Sequence, residues 1–134
     1  MSGLVLKLNP QERVLINGAV IENGDRRSRV SILTPNTNIL RLRDAIRPDD
    51  ANTPVKRVCY IAQLVLSGDV SIPDATHQIM QGIESLSQVL RDDDSRAHLT
   101  TATNAAHHQD FYRVLKSLRA LLPREARLMQ AYPI

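Results

Sequence analysis

The chemistry most open to this sequence is the holding of anions by arginine. Arg26, Arg27, Arg29, Arg41, Arg43 and Arg47 fall in one stretch whose single acid is Asp44. Six cations against one carboxylate give that stretch a balance of +5, more than the +3 of the whole 134-residue chain. Positive charge is therefore concentrated, and a concentrated basic patch raises the local density of polyanions. A guanidinium forms bidentate bonds to phosphate and stacks on a base, which lysine does less well. Lys7 and Arg13, on the strands expected just upstream, join the set. The candidate nucleic-acid-binding residues are thus Lys7, Arg13, Arg26, Arg27, Arg29, Arg41 and Arg43. The plainer alternative is a solvated strand face whose charges block edge-to-edge aggregation.

Other chemistry is weakly signalled. His107-His108-x-Asp110 has the residue types of a metal site, but adjacent residues on a helix project about 100° apart. Only His107 and Asp110 could share a face, and typical sites need three or four converging ligands. Cys59 is the one cysteine, which excludes an internal disulfide and a cysteine-based zinc site. It falls on an apolar helix, where a thiol is usually buried and inert. No glycine-rich phosphate loop, serine elbow or paired-carboxylate motif is present. No cofactor is expected, and no enzymatic activity. The aromatic residues are Tyr60, Phe111, Tyr112 and Tyr132, none of them in the first 59 residues. An N-terminal nucleic-acid surface would lack aromatic stacking platforms and depend on phosphate contacts, backbone groups and arginine.

The elements that must position these residues follow from turn chemistry and periodicity. Leu4–Leu8, Arg13–Ile16, Ala19–Ile21 and Arg29–Leu33 read as short strands. Asn9-Pro10, Asn17-Gly18, Asn23-Gly24-Asp25 and Thr34-Pro35-Asn36 are the turns, and Asn17-Gly18 between apolar runs is a strong hairpin signal. Alternation puts Val30 and Ile32 on one face and Arg29, Ser31 and Leu33 on the other. Ile39–Arg43 alternates likewise, and its first half reads as a fifth strand, with a helix start as the alternative. A sheet buried on one side needs a cover from downstream.

Pro48 and Pro54 bracket a linker. Beyond it, Val55–Ser67 is helical, with Thr53 as cap, Pro54 at the first position and Gly68 as stop. Ser71 caps a second helix with an Ala75, Ile79, Ile83, Leu86 and Leu90 stripe. Asp92 to Ser95 mark a third start, and residues 95–106 are so weakly patterned that a poorer helix is expected. Phe111, Val114, Leu115, Leu118 and Leu121 form a last stripe, with Lys116 and Arg119 outside it. Pro123 breaks it. The expected fold is α+β: an antiparallel β-meander with a basic face over 1–47, a linker over 48–54, and a helical unit over 55–134 packed on the sheet.

Bulk numbers fit that reading. Hydrophobic content of 43% and charged content of 23% are ordinary for a globular domain. No apolar run approaches the ~20 residues of a membrane span, and the N-terminus lacks the basic region and apolar core of a signal peptide. A cytoplasmic protein without membrane association is expected. Edge strands in so small a sheet make a homo-oligomer a further expectation.

The run Leu6-Lys-Leu-Asn-Pro-Gln-Glu-Arg-Val-Leu-Ile-Asn-Gly-Ala-Val-Ile-Glu-Asn-Gly-Asp-Arg-Arg27 resembles the N-terminus of the FlbT family, small flagellum-biosynthesis repressors of alphaproteobacteria. Its most specific parts are Asn17–Val20 and Asn23–Arg27. Leu40-Arg41-x3-Ala45-Ile46-x-Pro48, Thr53-Pro54-x2-Arg57, Phe111–Arg119 and Glu125 are similar to the family as well. The resemblance covers essentially the whole chain. It implies post-transcriptional control of flagellin through the 5′ untranslated region of flagellin mRNA, by translational repression or message decay. It also implies a small protein partner, FlaF; the alternative reading is a chaperone-like adaptor whose helical half binds FlaF or flagellin, with indirect effects on RNA. The resemblance makes RNA the nucleic acid expected at Lys7, Arg13, Arg26, Arg27, Arg29, Arg41 and Arg43, but it brings no residue-level site, so the choice of these residues rests on the sequence pattern alone.

Overall fold

A computed structural model describes residues 4–35 and 37–131; Asn36, expected in the turn after the fourth strand, lies outside them. The strands are β1 (Leu4–Leu8), β2 (Arg13–Ile16), β3 (Ala19–Glu22), β4 (Ser28–Ile32) and β5 (Ile39–Arg41), followed by a 3-10 turn at Leu42–Asp44 and another at Pro48–Asp50. The helices are α1 (Pro54–Ser67), α2 (Ile72–Ser87), α3 (Asp93–His107), α4 (Phe111–Arg119) and α5 (Leu122–Ala131). The α+β class and the strand reading of residues 39–41 match the sequence expectation.

The strand pairing is antiparallel, but the strands form two small sheets rather than one continuous meander. β1 pairs with β4, while β2 is the centre of a β3-β2-β5 sheet. The reason is local. Asn17 and Gly18, at φ 49° and 84°, close β2 onto β3 in a tight hairpin. At the base of that hairpin the Asn23 Nδ2 group donates to the carbonyls of Asn9 (2.8 Å) and Arg26 (2.9 Å). Ser28 Oγ donates to Asn23 Oδ1 at 2.7 Å, and Asn23 N donates to the Glu12 carbonyl at 2.8 Å. The hairpin is thus tied off at its neck. The end of β1 and the start of β4 emerge side by side and pair with each other.

Within the β3-β2-β5 sheet, β2 and β5 are covered on both sides, while β3 is exposed along its length. Val14 and Ile39 pack on Leu6 and Leu8 of β1 in a small core. Leu15 and Leu40 point the other way, into a larger core built by the helices. The order of layers is therefore β1–β4, then β3-β2-β5, then helices, and downstream helices supply the cover that the sheet requires.

Helix boundaries follow from capping. Thr53 accepts from Lys56 N, Ser71 from Asp74 N, Asp92 from Ser95 N and Asp110 from Arg113 N. Gly68 ends α1 at φ 84°, in the left-handed region where glycine carries no Cβ penalty. Glu125 of α5 is buried and reaches the start of α1, accepting from Val55 N at 2.8 Å and from Thr53 Oγ1. A carboxylate is favoured there by the helix dipole and the free N–H groups. Pro123 therefore opens α5 rather than only ending α4. α3 is a full 15-residue helix, stronger than its pattern suggested. Its buried face is Ser95, Leu99, Ala102, Ala105 and Ala106, and such small side chains give little hydropathy signal while letting α4 approach closely.

The α1–α2 contact is as close as backbone allows. A Cβ on Gly82 would lie 2.4 Å from Val58 Cγ2, and Val58 is stiff at χ1 and buried. Gly82→Ala is expected to lower stability by about 1–3 kcal/mol from overpacking, despite alanine's higher helix propensity. Adding Val58→Ala should recover part of that loss, read as melting temperature in a double-mutant cycle.

Candidate nucleic-acid interface

The basic residues are sorted by what each side chain touches. Arg26 and Arg27 project from the turn between β3 and β4 and are exposed. The turn itself is fixed, because Asn23 binds the Arg26 carbonyl from within and Gln11 Nε2 donates to Asp25 Oδ1 at 2.8 Å. Flexible side chains thus stand on a rigid backbone.

Lys7 and Arg29 are direct cross-strand partners. Their neighbours in register, Leu6 with Val30 and Leu8 with Ser28, turn to the opposite face. Two cations opposite one another on adjacent strands repel. Among the described residues, none of Lys7, Arg26, Arg27 and Arg29 has an ion-pair partner.

The remaining candidates are engaged. Arg13 pairs with Glu22 on β3 at 2.8 Å in open solvent, a contact that contributes little and is easily exchanged. Arg41 differs. Its Nε donates to Glu12 Oε2 at 2.7 Å, its Nη2 to Glu12 Oε1 at 2.8 Å, and the same Nη2 to the Lys7 carbonyl at 2.6 Å. The two side chains are only 11% and 6% exposed. Arg41 is therefore a fastening between the two sheets, with its fork turned inward. Arg43 lies half-exposed, 3.7 Å from Glu12 and 3.9 Å from Asp44. Lys7, Arg26, Arg27 and Arg29 make the open face and Arg41 its support, while Arg43 stands beyond β5 and Arg13 lies on the other sheet, on the same side of β2 as Leu15.

Tertiary structure also adds cations that the linear reading kept apart. Arg119 of α4 donates to the Asp44 carbonyl at 2.9 Å, which holds the Leu42–Asp44 turn against the helix. Arg41, Arg43, Tyr112, Lys116 and Arg119 then line one cleft. The signal available in the sequence was the placement of Lys116 and Arg119 outside the apolar stripe; nothing in it said that α4 lies beside β5. An aromatic ring, Tyr112, thus reaches the basic half of the protein through α4 packing rather than through the strands.

The other reactive groups have quieter settings. Burial pushes the Cys59 thiol up to about 12, so it is not a nucleophile near neutral pH. Among the described residues no three His, Cys, Asp or Glu side chains converge as a metal site, and no helix is long and apolar enough to cross a membrane.

Fold and site together define a small α+β protein with one open arginine face on a helical scaffold. The chain belongs to the FlbT family: the family described as flagellar protein FlbT matches residues 4–129. It is 30% identical over 129 residues to the probable flagellum biosynthesis repressor protein FlbT of Brucella abortus (strain S19), covering 96% of this chain and 84% of that one. It is 34% identical over 135 residues to the probable flagellum biosynthesis repressor protein FlbT 1 of Bradyrhizobium diazoefficiens, covering 96% and 86%. No solved structure gives a significant match.

Hydrogen bonds from Arg41, joined by the Asn9 N–H and the nearby Arg43, hold the Glu12 carboxyl down to about 2 against the opposing effect of burial. A carboxyl lowered in the folded state stabilises above its unfolded value and loses that contribution as pH falls through the folded value. Glu12→Gln should therefore cost on the order of 3 kcal/mol near neutral pH, since it leaves the covered Arg41 guanidinium without its counter-charge. The gap to wild type should close between about pH 4.5 and 2, as urea midpoints measured across that range would reveal.

Proposed function

We propose that the protein regulates flagellin synthesis after transcription, by binding the 5′ untranslated region of flagellin mRNA and repressing translation or promoting decay. Its relatives carry the name of flagellum biosynthesis repressors, which supports a role in regulating flagellar expression. The observation that carries the RNA reading is the uncompensated Lys7–Arg29 pair beside the Arg26–Arg27 turn. A fold keeps like charges in cross-strand contact at a cost, and an external polyanion removes that cost by bridging them. Guanidinium groups give bidentate phosphate contacts there. Decay of the message needs no catalysis by this chain, since a bound regulator can expose the RNA to a cellular nuclease. The setting is the cytoplasm, where message is translated.

A second reading is favoured by one further feature. A groove of about 750 Å³ runs between α2 and α3, with Met80, Ile83 and Leu99 among its walls. It has the size of a ligand or peptide cleft. In that reading the protein is an adaptor for FlaF or flagellin, and its effect on RNA is indirect.

The test is a titration of purified protein with the flagellin leader RNA at two salt concentrations, against a scrambled RNA. Selective, salt-sensitive binding is expected. Arg26→Glu with Arg27→Glu should weaken it strongly while leaving the melting temperature unchanged, since both side chains are exposed. Each phosphate contact removed should lower the log–log salt slope by roughly 0.7. Arg29→Thr should separate function from stability: binding weakens, while stability rises by about 0.2–1 kcal/mol as the repulsion with Lys7 disappears. Unchanged affinity and salt slope in these variants would move the function to the α2–α3 groove.

A further inference from the structure

The cleft beside Arg41 does not end at α4. A second cleft, of about 440 Å³, opens where the β4–β5 connection meets the start of α4, with Leu33, Asn38, Gln109 and Arg113 among its walls. Tyr112 and Lys116 line both this cleft and the cleft of about 300 Å³ beside Arg43 and Arg119. The two clefts therefore adjoin at Tyr112 and Lys116, and together they form a channel-like depression between the strand layers and α4.

Three properties of the channel point the same way. Tyr112 is half-buried and packs against both the small strand core and the helical core, so its ring is held in place at the junction of the halves. The channel is basic. Arg43, Arg113, Lys116 and Arg119 stand along it; Asp44 and Asp110 lie 3.5–3.9 Å from the nearest guanidinium nitrogens of these residues, and Glu12, already bound by Arg41 at 2.7 Å, is 3.7 Å from Arg43. Lys116 has no ion-pair partner among the described residues. Apolar and amide side chains lie between these charges, with Leu33 68% exposed at the mouth. A fixed aromatic ring, flanking cations and side-chain amides form the surface that unpaired bases use, by stacking and by hydrogen bonds to their edges. A duplex is read instead across its wide, shallow groove.

The channel also abuts β1, the strand whose outer face carries Lys7. Arg41 lines it and bonds the carbonyl of Lys7, whose side chain stands opposite Arg29. We infer that the channel between β5 and α4 receives an unpaired stretch of RNA, seated on Tyr112 and Lys116, that continues from the phosphates held at the Lys7–Arg29 face. This rests on the RNA-binding reading above and adds a strand preference and a second contact region.

The experiment compares the flagellin leader RNA in two forms: single-stranded, and annealed to its full complement. Wild-type protein should prefer the unpaired form. Tyr112→Leu keeps an apolar filler but removes the ring, and should weaken single-strand binding roughly tenfold or more. Tyr112→Phe should bind like wild type. Lys116→Glu, on an exposed position that touches no core, guards against a folding artefact and should weaken binding as well. Ultraviolet crosslinking to the single-stranded leader should yield an adduct on the peptide carrying Tyr112. Equal affinity for the two forms overturns the inference. So does retention of affinity in Tyr112→Leu and Lys116→Glu while Arg26→Glu with Arg27→Glu loses it; in that case the RNA reading survives alone. Loss of FlaF or flagellin binding in the α4 variants, with RNA affinity intact, makes the channel a protein site and overturns it too. If wild-type protein binds neither RNA, both readings fall together.

Discussion

The contact between Glu12 and Arg41 is the one on which the strand half depends. It is bidentate, and the guanidinium also takes the Lys7 carbonyl. One side chain comes from the turn after β1, the other from β5, and the carbonyl from β1 itself. The pair therefore ties the two sheets at a place where the apolar residues between them are few: Leu6, Leu8, Val14 and Ile39. An exposed ion pair contributes between nothing and about 1 kcal/mol, whereas removing one partner of a buried pair costs about 3–5 kcal/mol. With both side chains about nine-tenths covered, the contact lies nearer the second regime. It is held in shape from behind, since Asn9 N also donates to Glu12 Oε1 at 2.9 Å.

That fastening separates two uses of arginine within a few ångströms. Arg41 is neutralised and faces inward. Arg29 and Lys7, on the outer side of the neighbouring sheet, keep their charge. Repulsion in the outer pair is tolerated because the scaffold beneath it is over-determined. Asn23 ties the hairpin neck, and Leu15 and Leu40 anchor the middle sheet in the helical core. A less constrained hairpin would relieve the repulsion by fraying.

The helical half is more than a support. Gln63 of α1 brackets the backbone of Ile46, accepting from its N–H at 2.7 Å and donating to its carbonyl at 3.0 Å. Arg119 of α4 does the same kind of work at Asp44. These contacts fix the chain leaving β5 against α1 and α4. The channel walls consequently have little freedom to move apart, and a pre-formed cleft binds at a lower entropic cost than one that must be ordered.

Much of this protein was legible along the chain. Thr53, Ser71 and Asp92 cap the helices expected from them, Gly68 stops α1, and Asn17-Gly18 closes the β2–β3 hairpin, because capping and turn chemistry act within four or five residues. The inward and outward faces of β4 follow from a period of two, so the outward position of Arg29 was legible as well. Whether an arginine stays free was not. Glu12 lies 29 positions from Arg41, and no periodicity couples them; an isolated acid in a turn looks solvated until the fold brings a cation to it. The division into two sheets depends on Asn23 bridging strands from both sides of the hairpin. The meeting of Tyr112 and Lys116 with Arg43 depends on where α4 docks. Sequence by itself determined which residues carry charge and which short elements they stand on. Tertiary structure decided which charges remain unpaired and which aromatic ring stands among them, since pairing and docking are set by contacts between residues far apart in the chain.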